Sequence, residues 1–205
     1  YIINPPASHF AFGKTKTREE LIVSSSERFS CTYIYSNLLG NEAGRIIYDG
    51  EIIIAKNGSL IAKNDLFSFK KVNLLTETRK EIKHYSKNEE FLLADCLALY
   101  DYMRKSRSKG FVLSLSGGAD SSTCAVLVSE MLKLGLKELS IHEFVHDLPF
   151  LGELISTDAF NTQDPYNQLI SHILTCAYQG TRNSGNVTLT AAKELATQIG
   201  AEFHE

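Results

Sequence analysis

The sequence predicts an α/β protein built in two parts. From residue 89 onward, short apolar runs alternate with amphipathic segments of helical period, which is typical of a parallel sheet covered by helices. In the first half, two β-rich runs flank Asn57-Gly58, a dipeptide that favours a type I′ hairpin turn. The polar, charged stretch 79–88 separates the halves, so we place the domain boundary between residues 80 and 81.

The composition fits a folded chain. Of the 205 residues, 43% are hydrophobic and 22% are charged, which excludes disorder by composition. The formal net charge of −3 argues against a general nucleic-acid binder, because such proteins are usually basic. We also expect neither a membrane span nor a signal peptide. The sequence therefore predicts a cytoplasmic protein with no nucleic-acid or membrane partner.

The cysteines form no CxxC motif and no close pair in the sequence. A disulfide frame or a zinc cage would need such spacing, so we interpret the cysteines as buried thiols in a reducing compartment. We expect all of them to belong to the core: Cys31, Cys96, Cys124 and Cys176.

Local patterns predict the elements of the first half. Thr17 and Glu20 fit a capping box in front of a helix that ends near residue 28. The β-branched and aromatic residues of 32–37 predict a strand, and 45–48 predict another.

The second half begins with a further capping box, formed by Ser86 and Glu89, before a helix that runs to about residue 104. The remaining elements follow in order: a strand over 111–115, a buried helix over 121–134, a helix begun by Asp164 as N-cap and Pro165 as first position, a strand over 175–179, a helix over 188–199 ended by Gly200, and the start of a strand at the last residues.

The segment 114–122, SLSGGADSS, carries the clearest functional signal. Gly117 and Gly118 allow a tight turn and a close backbone approach to an anion. The segment leads into a helix N-terminus, where free N–H groups favour phosphate. Asp120 offers the oxygen ligand that a phosphate-bridging Mg²⁺ needs, and no lysine follows the glycines as a Walker A motif requires. We therefore expect a phosphate loop rather than a merely capped turn.

The residues 116–121, SGGADS, resemble the pyrophosphatase loop of the N-type ATP pyrophosphatases. That group includes NAD synthetase, GMP synthetase, asparagine synthetase and tRNA lysidine synthetase. The segments 161–165 and 175–200 are similar to glutamine-dependent NAD synthetase in particular. The first half resembles the end of the nitrilase-like glutaminase domain that precedes the synthetase in this family, at 4–14, Thr17-Arg18, 33–37 and 48–50.

The resemblance implies an interior fragment of such an enzyme. Residues 1–80 would be the C-terminal part of a nitrilase-type α-β-β-α sandwich, and residues 81–205 the N-terminal part of a parallel-sheet ATP-pyrophosphatase domain. In this family, ATP adenylates nicotinic acid adenine dinucleotide, and ammonia released from glutamine displaces AMP to give NAD. The implied requirements are ATP and Mg²⁺, and the family tends to assemble into homo-oligomers.

The resemblance also implies site residues. Asp120 would hold Mg²⁺, and Ser116 is the residue assigned to catalysis. Arg182 would meet a phosphate of ATP, unless it is a solvated surface arginine. Ser8 and Lys14 would contact glutamine, unless they serve ordinary loop chemistry. The ATP-binding set is completed by Ser114, Leu115, Gly117, Gly118, Ala119 and Ser121.

The sequence lacks a residue that matches the catalytic nucleophile of the family's glutaminase domain. The glutaminase nucleophile lies upstream of the Ser8 segment in the family, and no cysteine here matches it. We therefore expect the synthetase activity to belong to a longer parent protein. Two alternatives stay open, namely another pyrophosphatase-loop ligase, such as a tRNA-modifying enzyme, and a non-catalytic nucleotide-binding protein. The HExxH match at 142–146 is short and has no obvious third zinc ligand, so we set a zinc site aside.

Overall fold

The computed structural model describes residues 1–75, 82–154, 165–180 and 185–205. The chain forms two compact units, Tyr1–Ala98 and Leu99–Glu205. The division lies within a long helix, later in the chain than the predicted domain boundary at residues 80 and 81. Across the described ranges, no helix combines the length and the apolar character needed to cross a bilayer.

The first unit is a small mixed sheet with one helix packed on it. Its elements are β1 (Ile2–Asn4), α1 (Lys14–Arg28), β2 (Thr32–Ser36), β3 (Leu39–Glu42), β4 (Ile46–Asp49), β5 (Ile52–Lys56), β6 (Ser59–Lys63) and the start of α2 (Lys87–Ser106). The main sheet has the order β1-β2-β5-β6, with β1 parallel to β2 and the other pairs antiparallel. Strands β3 and β4 form a separate antiparallel pair.

Helix α1 packs on this sheet through one face. Its buried residues are Arg18, Ile22 and Ser26, which recur at every fourth position and therefore share a side of the helix. Ile22 joins a core cluster with Tyr35 and Ile53. Burying an aliphatic side chain such as Ile22 or Ile53 stabilises the fold by roughly 1.5–3 kcal/mol.

The predicted hairpin is confirmed. Strands β5 and β6 are joined by Asn57 and Gly58, whose φ angles are 48° and 82°. A type I′ turn requires positive φ at both central residues, and asparagine and glycine adopt it at the lowest cost.

The predicted capping box of Thr17 and Glu20 is wrong. Helix α1 begins earlier, at Lys14, with Gly13 as an N-cap of φ 71° and no side-chain cap of its own. The free N–H of Gly13 instead donates to Oε2 of Glu90, at 3.3 Å. The partner lies 77 residues further along the chain, so no local motif could reveal it.

The second predicted capping box is confirmed at the start of α2. The N–H of Ser86 donates to Oε2 of Glu89 at 2.8 Å, and the N–H of Glu89 donates to Oγ of Ser86 at 3.3 Å. These two bonds satisfy donors that the first turn of a helix leaves without partners.

This cap makes the stability of α2 depend on pH. Hydrogen bonds from Ser86 lower the pKa of Glu89 from its usual 4.5. A folded pKa below the unfolded value gives stability that is present above the unfolded pKa and lost as the pH falls through the folded one. We expect Glu89→Gln to be less stable than the unsubstituted chain at neutral pH, and the difference to shrink on acidification.

Thermal unfolding at neutral and acid pH measures this difference. Glu20→Gln, at an exposed position of α1, is the matched control and should show no such trend. A Glu89→Gln deficit that stays constant as the pH falls would contradict the assignment.

The second unit is a three-stranded parallel sheet with helices against it, as the sequence predicts. Its sheet order is β7-β8-β9, and both strand pairs are parallel. After the end of α2, its elements are β7 (Phe111–Ser114), α3 (Ala119–Glu138), α4 (Ile141–Asp147), α5 (Pro149–Leu154), α6 (Tyr166–Ile173), β8 (Leu174–Ala177), α7 (Asn186–Ile199) and β9 (Glu202–His204).

Some finer expectations need correction. Pro165 is the N-cap of α6 and not its first residue, and Asp164 lies outside the described residues. The buried residues of α3 include Ala125 and Val128, so the neighbouring Cys124 lies beside that face and is exposed. The prediction that all four cysteines are core residues is therefore wrong, although Cys96 and Cys176 are fully buried.

Candidate functional site

The residues between β7 and α3 form a tight loop at the carboxyl end of the parallel sheet. The N–H of Leu115 donates to the carbonyl of Ala177 at 2.9 Å, which extends the β7–β8 pairing by one residue. The chain then turns into α3, whose N-cap is Gly118 with φ −89° and ψ 168°. In open parallel sheets, ligands bind at this carboxyl edge.

Two serine hydroxyls are held together in the loop. Oγ of Ser116 lies 3.0 Å from Oγ of Ser121. The loop's own backbone fixes both oxygens, because the N–H of Ser116 donates to Ser121 Oγ at 3.2 Å and the N–H of Gly118 donates to Ser116 Oγ at 3.3 Å. The loop therefore presents a preformed pair of polar oxygens near the surface.

The N-terminus of α3 completes a set of groups suited to phosphate and magnesium. The first amides of a helix have no intrahelical acceptor, and the aligned peptide dipoles place partial positive charge there. Asp120 lies in the first turn with its side chain exposed. A carboxylate beside hydroxyl oxygens supplies the hard oxygen ligands that Mg²⁺ prefers. The residues present thus fit a magnesium-bound phosphate chain.

Gly117 is required for a reason that the sequence did not show. Its φ is +75°, and a Cβ built on it would lie 2.2 Å from the carbonyl oxygen of Thr188. Thr188 lies in the first turn of α7, so the loop is packed against a second helix start. The sequence predicts a tight turn and the close approach of an anion at this glycine, and the structure adds the close approach of the Thr188 backbone.

The other predicted ATP-binding residues differ in their surroundings. Ser114 is exposed at the end of β7, with its Oγ 3.5 Å from Oε1 of Gln179, and Ala119 is exposed at the start of α3. Leu115 is fully buried, and its N–H is paired with Ala177, so it anchors the loop to the sheet. Arg182 and Ser184 lie outside the described residues, and their roles stay predictions.

In the first unit, the structure places Ser8 and Lys14 at the two ends of one short stretch before and at the start of α1. Lys14 Nζ donates to the carbonyl of His9 at 2.7 Å, so the amine folds back on this stretch. Ser8 is held more firmly. Its N–H donates to Asn37 Oδ1 at 2.9 Å, and its carbonyl accepts from Asn37 Nδ2 at 2.8 Å and from Arg18 Nη2 at 3.0 Å.

A buried group of charges lies behind Ser8, and we call it the Arg18 cluster: Arg18, Asp49, Glu51 and Lys63. Arg18 Nη1 lies 2.5 Å from Asp49 Oδ2 and 2.9 Å from Glu51 Oε2. Lys63 Nζ lies 3.0 Å from Glu51 Oε1, to which Thr15 also hydrogen-bonds. All four charged side chains are at least nine-tenths buried, and their formal charges cancel.

The cluster keeps Arg18 charged despite its burial. Desolvation by itself would lower the pKa of Arg18, but the attraction of Asp49 and the hydrogen bonds that Arg18 donates to Asp49 and Glu51 outweigh it and raise the pKa. The sequence pattern predicts no role for this cluster. The available signal was the position of Arg18 four residues before Ile22, on the buried face of α1.

The comparisons with known proteins agree with the resemblance to NAD synthetases. A protein-family model described as NAD synthase matches residues 91–147, which include the phosphate loop. The chain is 31% identical to the glutamine-dependent NAD(+) synthetase of Macaca fascicularis and 29% identical to that of Homo sapiens, in each case over 98% of this chain.

Solved structures give the same result. A crystal structure of a glutamine-dependent NAD(+) synthetase from Cytophaga hutchinsonii matches 99% of this chain with a TM-score of 0.91 and 53% sequence identity. The glutamine-dependent NAD+ synthetase from Acinetobacter baumannii, solved in complex with ADP, matches 99% of the chain with a TM-score of 0.68 and 17% identity, a likeness that shows the fold alone.

The chain spans about a third of the length of these relatives. It covers 35% of the Macaca, human and Cytophaga proteins and 33% of the Acinetobacter chain. The chain therefore contains a segment that matches the NAD synthase family model, and it is similar along both units to about a third of a glutamine-dependent NAD(+) synthetase.

Proposed function

We propose that this chain is part of an enzyme that amidates nicotinic acid adenine dinucleotide to NAD, with cleavage of ATP to AMP and pyrophosphate and with ammonia taken from glutamine. The observation that carries the proposal is the phosphate loop. It holds two hydroxyls 3.0 Å apart at the N-terminus of α3, with Asp120 in the first turn, inside the segment that matches NAD synthase.

In this proposal, the loop binds and orients the phosphates of ATP. Ser116 and Ser121 donate to phosphate oxygens together with the first amides of α3, and they stabilise the charge that develops on the departing pyrophosphate. Asp120 would hold Mg²⁺, which neutralises phosphate charge when it is bound. Arg182 is a further proposed phosphate contact. The protein supplies position and charge here rather than a covalent step.

The proposal gives the first unit a different task. We assign residues 1–80 to the end of a nitrilase-like glutaminase domain, in which Ser8 and Lys14 contact glutamine. The support is the alignment with glutamine-dependent relatives along 98% of the chain and the firm fixation of Ser8 in the structure. A homo-oligomeric assembly in the cytoplasm is part of the same proposal.

Asp120→Ala tests the loop assignment. The substitution removes the carboxylate that would hold Mg²⁺, so we expect Mg·ATP binding to be abolished in a calorimetric titration. Glu130→Ala, further along the same helix, is the matched control and should bind as the unsubstituted chain does. Unchanged Mg·ATP binding by Asp120→Ala would contradict the assignment.

Product analysis of the full gene product tests the reaction. Formation of AMP, pyrophosphate and NAD from nicotinic acid adenine dinucleotide fits only the proposed synthetase. AMP and pyrophosphate formed with a different acceptor, such as a tRNA, would instead indicate another ligase of the pyrophosphatase-loop group. Nucleotide binding without turnover would indicate a non-catalytic protein.

A further inference from the structure

We propose that Arg18 is a positioning residue for glutamine use, and that it acts by fixing the Ser8 hydroxyl. The inference rests on the proposed function, in which Ser8 contacts glutamine. Its basis is that one buried guanidinium joins Ser8 to a pair of buried carboxylates, those of Asp49 and Glu51.

The contacts to Ser8 determine the orientation of its hydroxyl. Arg18 Nη2 lies 3.2 Å from Ser8 Oγ as well as 3.0 Å from the Ser8 carbonyl. A guanidinium group only donates hydrogen bonds, so Ser8 Oγ is the acceptor in this contact. The hydroxyl hydrogen of Ser8 therefore points away from Arg18 and is available to the neighbouring Tyr35 hydroxyl or to a glutamine oxygen. With its backbone also held by Asn37, Ser8 is prepared to donate to a glutamine oxygen.

Arg18 is itself held in place by two buried carboxylates. Its Nη1 contacts Asp49 Oδ2 and Glu51 Oε2, while its Nη2 contacts Ser8, so the two terminal nitrogens of the fork have separate tasks. Asp49 Oδ1 also accepts from Asn37 Nδ2 at 2.7 Å, so one carboxylate orients both side chains that hold Ser8. Exclusion of water at these buried groups strengthens the contacts.

Arginine and lysine are not equivalent at such a position. A lysine would keep the positive charge near Asp49 and Glu51, but its single nitrogen cannot reach the carboxylates and Ser8 in the same geometry. Arg18→Lys therefore separates the charge of the residue from its positioning role.

The test compares glutamine with ammonia as nitrogen source in the full gene product, because added ammonia bypasses the glutamine site. For Arg18→Lys we expect KM for glutamine to rise roughly tenfold, the size of a lost hydrogen bond to a charged group, and ammonia-dependent NAD formation to stay unchanged. Arg28→Lys, on an exposed part of the same helix, is the matched control and should leave both activities unchanged.

A double-mutant cycle distinguishes positioning from general damage. If Arg18 acts through Ser8, then Arg18→Lys adds little to the increase in KM that Ser8→Ala produces alone. Independent effects that multiply would overturn the inference, as would an unchanged KM for glutamine or an equal loss of ammonia-dependent activity in Arg18→Lys. If Arg18→Lys does not fold, Asp49→Asn tests the same arrangement and should raise KM for glutamine selectively.

The outcomes separate this inference from the proposed function. An unsubstituted protein that makes no NAD from either nitrogen source refutes the proposed function itself. An active protein in which Ser8→Ala uses glutamine normally refutes the role of Ser8, and the inference with it. An active protein in which Ser8→Ala is impaired and Arg18→Lys is normal refutes the inference alone.

Discussion

Glu51→Ala is expected to destabilise the Tyr1–Ala98 unit by about 3–5 kcal/mol, the usual effect of removing one partner from a buried ion pair. Glu51 is fully buried and lies within 3.0 Å of both Arg18 and Lys63. Among the described residues, alanine would leave Arg18 paired with Asp49 and Lys63 paired with the partly exposed Glu19. It would also remove the acceptor of the Thr15 hydroxyl.

Amide hydrogen exchange in β2 and β5 measures this loss, because it reports on one unit without requiring the whole chain to unfold as one. Glu20→Ala, an exposed glutamate on α1, is the matched control and should change stability by less than about 0.5 kcal/mol. Similar exchange rates in the two variants would show that the Arg18 cluster does not stabilise the unit.

Gly117→Ala is expected to destabilise the Leu99–Glu205 unit and to abolish nucleotide binding. A left-handed conformation costs a residue with a Cβ roughly 1–2 kcal/mol. The added carbon would also lie 2.2 Å from the Thr188 carbonyl, so the loop or the start of α7 must move. A movement of the loop separates the hydroxyls of Ser116 and Ser121 from the geometry that binds phosphate.

The neighbouring glycine provides the control. Gly118 has φ −89°, and a Cβ there would meet only Ser116 Oγ, at 3.3 Å. We expect Gly118→Ala to retain a thermal unfolding temperature close to that of the unsubstituted chain and Gly117→Ala to lose several degrees. Equal unfolding temperatures in the two variants would contradict the close approach of Thr188.

Features that depend on local geometry could be predicted from the sequence. The turn at Asn57-Gly58 follows from the φ angles that only a few residue types accept, and the cap at Ser86 and Glu89 follows from their spacing. The phosphate loop was found for the same reason, since glycines and serines between a strand and a helix are a local signature.

Features that depend on partners far away in the sequence could not be predicted in this way. Arg18 hydrogen-bonds to Asp49 and Glu51, which lie 31 and 33 residues further along the chain. Gly13 hydrogen-bonds to Glu90, which lies 77 residues further along. From the sequence alone, a charged residue on α1 suggests a solvent-exposed helix face. Only the three-dimensional structure shows that its carboxylate partners are buried beside it.

Strand β3 was missed for a related reason. Its sequence, Leu39–Glu42, contains no β-branched residue. Its strand character comes from pairing with β4 through a turn in which Ala43 and Gly44 have positive φ angles.

The exposure of Cys124 gives the chain a natural position for chemical labelling. Cys96 and Cys176 are fully buried, Cys31 is partly covered, and burial raises the pKa of Cys176, which keeps its thiol unreactive. Cys124 lies four residues after Asp120 and therefore on the same side of α3. A fluorophore attached there sits one helical turn from the phosphate loop, so its emission can report ligand occupancy in real time without any engineered substitution.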